Sequence, residues 1–376
     1  MKGLYNFIKS NYVNRFGWHT NRKIVVFESD DWGSIRMSSK DAYNALLAKG
    51  YGVDKHPYYS YDRIENNDDL DLLANVLLSV KDKNSRPAKF TLNQIMFNPD
   101  FSSIQEINFS AYYNESFVET LKRYDDTDKV TDLYKKGKSE GVFQPQLHGR
   151  EHVNIKLWMD RLQQSEKRAL DAFEHKMFAL SNTGSVSGRR DNMDAFGNHI
   201  LTGQHYDYTK IITEAQTAFS SFWGFKSLSF IAPCYTWHPN IEPILKANGI
   251  EFLQGNDVQK VPFSADSFKV KKKYHYTGQK NKLRQTYLVR NVVFEPSEGK
   301  LQDPVATALQ QIELSFKNKK PAIISSHRVN FIGSLVEKNR GDNLKHLQLF
   351  LNKIVSKWPD VEFMSSDELG NVINQK

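Results

Sequence analysis

The chain has 376 residues, 39% of them hydrophobic and 25% charged, ordinary globular usage that excludes a disordered or fibrous protein. Its formal charge is +8, from 51 Lys and Arg against 43 Asp and Glu. This favours anionic partners, but no DNA-binding motif accompanies it and no nucleic acid is expected as a partner. The single cysteine, Cys234, rules out an internal disulfide and an all-cysteine zinc site.

The amino terminus lacks the continuous apolar core of a signal peptide and no stretch reaches transmembrane length, so the chain as read suits the cytoplasm. Leu4, Phe7, Ile8, Tyr12 and Phe16 recur at helical spacing beside Lys2, Lys9 and Arg15. Such a stripe could rest on a membrane surface, although it more often packs on its own domain. Residues 1–20 are read as an extension. Residues 23–29 are a β-branched, apolar run that ends in Asp30-Asp31-Trp32-Gly33, a strand entering a loop. Ser39 looks like the cap of a helix over 40–49, with Gly50 as its stop. A helix over 70–80 precedes a strand at 88–96. Residues 97–114 read as a long polar loop, 117–139 as mostly helical and 142–147 as a strand.

Residues 156–176 carry one long amphipathic helical pattern, and 181–207 read as a loop or insertion. A helix over 208–219 and a strand at 228–231 come next, then a helix over 239–248 and a strand at 251–254. Residues 257–298 read as irregular or β-rich insertion. The run Lys269-Val270-Lys271-Lys272-Lys273 within them reads as a solvated surface loop. The chain closes with a helix over 305–316, a strand at 322–326, a helix over 344–357 and a last strand at 361–365. Alternating strands and helices predict parallel βαβ units. A single distorted α/β barrel with insertions accounts for the whole chain, with chemistry at the carboxyl ends of its strands.

The chemistry-bearing residues sit at those ends. Asp30 and Asp31 repel one another and need a counter-charge; one can bind a metal while the other faces its water. His148-Gly149-Arg150-Glu151-His152 spaces two imidazoles as on one side of a helical turn, close enough to share an ion. Two His and one carboxylate leave coordination positions open for water and substrate. The same residues spell H-x-x-E-H, which would make Glu151 the general base of a metallopeptidase. His327 ends the apolar run 322–326, where a protonated imidazole can serve a leaving group. Asp257 also follows a strand end.

Together, the Asp-Asp strand end, the H-x-x-x-H loop, the Pro233–Tyr235 strand end and the late His resemble the polysaccharide deacetylase family (NodB homology, carbohydrate esterase family four). The resemblance implies a NodB-type distorted barrel. It implies a metal triad of Asp31, His148 and His152 holding zinc or another divalent ion, with Asp30 as general base and His327 as general acid. It implies removal of acetyl groups from an N-acetylated sugar or glycan, carrier-linked or free. Pro233 and Tyr235 would line the groove, with an oxyanion-binding backbone N–H at or next to Tyr235. Trp32, Tyr235 and Trp237 are candidate sugar-stacking surfaces. Some features depart from the pattern. Trp32 is inserted before Gly33, Gly149 replaces a hydroxyl residue, Ile231 stands where an Arg commonly orients the base, and Arg328 replaces an Asp. Ile231 and the inserted Trp32 keep a non-catalytic glycan-binding descendant open as an alternative.

Overall fold

The computed structural model describes residues 16–180, 192–197, 207–263 and 269–375. Nine strands form the main sheet: β1 (Ile24–Trp32), β2 (Phe90–Ile95), β3 (Phe143–Gly149), β4 (Ser229–Ile231), β5 (Phe252–Gly255), β6 (Thr286–Val289), β7 (Val292–Val293), β8 (Ala322–His327) and β9 (Glu362–Met364). Their order is β6-β5-β4-β3-β2-β1-β8-β7, with β9 also pairing β1. Every pairing is parallel. The two ends of this order, β6 and β7, are consecutive in the chain and separated only by Arg290 and Asn291. The sheet therefore curls into a distorted α/β barrel whose seam is bridged by two residues.

Parallel strands covered by helices are buried on both faces and read as continuous apolar runs. Ile24-Val25-Val26-Phe27 and Ala322-Ile323-Ile324 obey this, each wholly buried. Phe27 stacks on Phe90 at 5.0 Å and meets the edge of Phe350, joining β1, β2 and a packed helix (Glu337–Lys357) in the principal core. Caps set where the helices start. Ser39 accepts from the Ala42 N–H, and Asn66–Asp69 and Ser365–Glu368 are reciprocal capping boxes.

Four expectations change. Residues 97–116 are a small antiparallel pair, Phe97–Pro99 with Asn114–Ser116, around a helix at Phe101–Glu106. The predicted helix over 156–176 is two helices, Ile155–Gln163 and Lys167–Glu174, because Ser165 adopts φ +55 between them. Residues 257–298 are not wholly an insertion. Val258–Pro262 and Val270–Tyr274 form a separate antiparallel ribbon, but β6 and β7 belong to the barrel. A helix at Ser366–Asn374, beyond the last predicted strand, seals that end of the barrel. Most of 181–207, and the amphipathic stripe up to residue 15, lie outside the described residues.

Two satellite cores position the loops above the strand ends. Ile35, Phe101, Val153, Trp158 and Phe173 pack together and clamp the loop after β3. Met37, Leu46, Val53, Tyr59 and Met177 do the same for the segment around Tyr58.

Candidate active site

In a regular strand Asp30 and Asp31 would point to opposite faces. Here the β1–β2 register shifts between Ser29 and Trp32, and Asp31 takes φ +77. This bulge turns both carboxylates into one cavity of about 370 Å³ at the carboxyl ends of the strands. A non-glycine residue held at positive φ costs about 1–3 kcal/mol and persists only where its surroundings enforce it. Gly33 follows at φ +80, with the Ile95 carbonyl 2.4 Å from where a Cβ would sit.

His148 and His152 reach the same cavity from a strand and a loop rather than from a helical turn. His148 is on β3, Gly149 bends the chain at φ +130, and His152 comes back from the loop. The Nε2 atoms of His148 and His152 lie 3.4 and 3.2 Å from Asp31 Oδ1. All three ligand atoms fall within 4.8 Å of one another and are buried. His148 Nδ1 lies 2.9 Å from the Ile231 carbonyl. Since a carbonyl only accepts, that nitrogen is the donor, and Nε2, which has no hydrogen-bond partner, is the ring atom turned towards Asp31. Burial, then the Arg36 charge, draws the His152 imidazole down to about 4, so it is neutral at physiological pH. Burial opposes ionisation of Asp31, but Arg36 and the two imidazoles outweigh it and hold the carboxyl well below the usual range. Arg36 takes Asp31 Oδ2 at 2.8 Å and leaves Oδ1 to the histidines. An ionised oxygen and two imidazole nitrogens converging in a buried pocket, that of His148 orphaned, fit a divalent cation.

Behind this group runs a buried ion-pair chain. Arg36 lies 3.6 Å from Asp62, Arg328 contacts Asp62 and Glu65, and Glu65 receives the Gly33 N–H and the Tyr134 hydroxyl. Arg328, whose place after the late His looked anomalous in the sequence, is wholly buried and braces the loop that carries Asp31.

Asp30 is bound bidentately by Arg290, at 2.6 and 2.7 Å, and accepts from Asn93 at 2.8 Å. Burial opposes its ionisation, but Arg290 prevails and lowers its pKa. Arg290 also bonds Glu28 at 2.7 Å, and its NH1 lies 3.1 Å from the Tyr235 hydroxyl. The arginine missing at Ile231 is thus supplied from the barrel seam. His327 Nε2 stands 3.6 Å from Asp30 Oδ2, while its Nδ1 meets Glu295 at 2.5 Å. Burial disfavours the imidazolium, yet Glu295 and Asp30 raise the pKa to about 9. Glu295 is itself held by Asn330 at 2.7 Å.

The other expected site residues divide. Tyr235 lines the cavity, its phenol pushed up to about 12 by burial. Its backbone N–H closes a turn on the Ala232 carbonyl at 2.9 Å, so the expected oxyanion donor there is already committed. Pro233 is buried in that turn; the neighbouring Ala232 and Cys234 face the cavity. Trp32 is wholly buried, donating to Ser29 and packing on Tyr134, and Trp237 is buried against His275. Neither indole is presented to a sugar. Asp257 does not line the cavity. Glu151 accepts from Arg150 at 2.7 Å and from Tyr112 and Asn114, both at 3.1 Å, away from the cavity wall.

Sequence reasoning missed Arg290, Glu295, Arg36 and Tyr58. A lone Arg between the apolar runs Thr286–Val289 and Val292–Val293 was the available signal for the first. Tyr58 lines the cavity with its ring centre 5.5 Å from that of His327, the two rings perpendicular, and with Arg36 5.6 Å over its face. Burial and Glu295 hold its hydroxyl well above the ordinary range, so it stays protonated.

No family model and no curated protein matches the chain. Among solved structures it is similar to a 4-alpha-glucanotransferase from Thermococcus litoralis (11% identity, TM-score 0.43), covering 92% of this chain and 40% of that one. It is also similar to a protein assigned as a polysaccharide deacetylase from Mycobacterium smegmatis (10% identity, TM-score 0.45; 96% of this chain, 93% of that one). An allantoinase gives 9% identity and a TM-score of 0.43 over 94% of this chain and 91% of its own. These neighbours carry different activities, and the similarities are too low to choose among them; the reading of this chain rests on its own site.

Proposed function

We propose that this chain is a metal-dependent hydrolase that removes acetyl groups from N-acetylated sugars or glycans. One observation carries the proposal. A buried three-ligand group shares a cavity with an ionised carboxylate and a protonated imidazole, 3.6 Å apart. Asp31, His148 and His152 would hold the ion, zinc by the preference of a tetrahedral N/O set. When bound, it supplies Lewis acidity, polarising the acyl carbonyl and acidifying a water.

The remaining steps fall to the chain. Asp30, kept ionised and fixed by Arg290 and Asn93, accepts the proton of the attacking water. His327, kept protonated by Glu295, delivers a proton to the departing amine or alcohol. With the Tyr235 N–H committed, the Tyr58 hydroxyl is a side-chain donor in the cavity for the oxygen that gains charge, beside any backbone N–H next to Tyr235, a contribution of about 3–4 kcal/mol for one well-placed donor. The peptidase alternative is not favoured, because Glu151 is turned away from the ligands. The non-catalytic alternative loses its motive once Arg290 meets Asp30. The motif resemblance supports a sugar, and a cavity of about 370 Å³ suits one ring and its acetyl group.

The test is acetate release from a panel of N-acetyl and O-acetyl sugars by zinc-loaded protein. Release is expected, falling about 10²–10⁴-fold in His327→Ala, with peptides untouched. No acetate from any sugar, or peptide cleavage that survives His327→Ala, would overturn the proposal.

A further inference from the structure

Eleven large apolar side chains are exposed among the described residues, and five of them gather in one place. Phe263, Val270, Tyr274 and Tyr276 belong to the antiparallel ribbon and the turn after it, and the Phe16 ring lies 6.3 Å from Tyr276. The ribbon's second strand and the turns flanking it carry Lys269, Lys271, Lys272, Lys273, Lys282 and Arg284, all exposed. None of these six cations has an ion-pair partner among the described residues. The ribbon's two strands pair only with each other within their sheet, and the first begins two residues after Asn256 in the cavity wall.

We propose that this ribbon docks the protein on an anionic lipid bilayer beside the mouth of the cavity. Charge complementarity selects an anionic partner. The interleaved apolar and aromatic side chains select a bilayer over a soluble polyanion, since they can enter the headgroup boundary while lysines remain with the phosphates. The Lys271 ammonium lies 5.5 Å over the Phe263 ring, a cation beside an aromatic side chain on this exposed ribbon.

The experiment is co-sedimentation of the full chain with vesicles of equal parts phosphatidylglycerol and phosphatidylcholine, and with phosphatidylcholine alone. Binding is expected to the first and not the second. The variant K269Q/K271Q/K272Q/K273Q should bind more than about a hundredfold more weakly, as four surface charges predict, with an unchanged circular dichroism spectrum. Phe263→Ser with Tyr274→Ser, which alters no charge, should weaken binding about tenfold, the scale of a few buried apolar groups. Three results overturn the inference: no binding to the anionic vesicles, undiminished binding by the lysine variant, or serine variants that bind vesicles and heparin as the parent does.

Discussion

Arg290 holds two buried carboxylates at once, Glu28 and Asp30. Replacing it by Met should strand both and cost about 3–5 kcal/mol, the penalty for breaking a buried ion pair. The denaturant midpoint checks this; a loss under 1 kcal/mol would mean the pair is solvated. Glu295 governs His327 in the opposite sense. The folded pKa of about 9 lies above the ordinary value of 6.5, so the stabilisation it brings is complete below 6.5 and is lost as pH rises through 9. The same proton is the one proposed for the leaving group. Glu295→Gln should therefore move the alkaline limb of the acetate-release profile down by about 1–3 pH units, with the His327 ring resonances titrating in parallel. An unmoved limb would assign it to another group. Neither residue was legible beforehand, because the sequence pairs Arg290 and Glu295 with nothing nearby. Asp30, Asp31, His148 and His327 were legible because each interrupts or ends an apolar strand, and His152 because it follows His148 by four residues. Trp32 and Trp237 were misjudged because their types do not say whether their rings face core or cavity.

At the scale of elements, the strand-to-loop corners do most to place the site. Gly149 at φ +130 lets β3 deliver His148 and turn back in time for His152. An added Cβ would meet nothing closer than 3.5 Å, so the cost of Gly149→Ala is conformational, about 1–3 kcal/mol. Its more informative effect should be weakened zinc affinity in a competitive chelator titration; unchanged affinity would show that the loop tolerates another path. This corner also explains why the four-residue spacing was misread as a helical turn: the spacing records two imidazoles on one side but not the backbone between them. The apolar runs of β1, β2 and β8 and the cap at Ser39 are local signals, and those elements were found or nearly so, whereas the helix capped by Ser365 was missed although its capping box is just as local. β6 and β7 were lost in the presumed insertion because each is short and Arg290-Asn291 divides them. Ser165 likewise divides a helical pattern whose periodicity runs through it.

Across the whole molecule, the barrel brings residues from 30 to 327 into one cavity and leaves no helix among the described residues long and apolar enough to cross a membrane. A metal bound only by the folded chain must stabilise it, by about 2.7 kcal/mol at a concentration one hundred times the dissociation constant. Calorimetry should show the melting temperature rising with zinc in the parent and not in His148→Ala; equal shifts in both would place the ion elsewhere. The division of labour between two adjacent carboxylates is the claim on which the account turns. Elemental analysis of zinc in the purified parent, Asp30→Asn and Asp31→Asn tests it most directly. The account predicts one ion per chain in the parent and in Asp30→Asn, and little in Asp31→Asn. Equal loss in both variants, or a parent that takes up none, would contradict it.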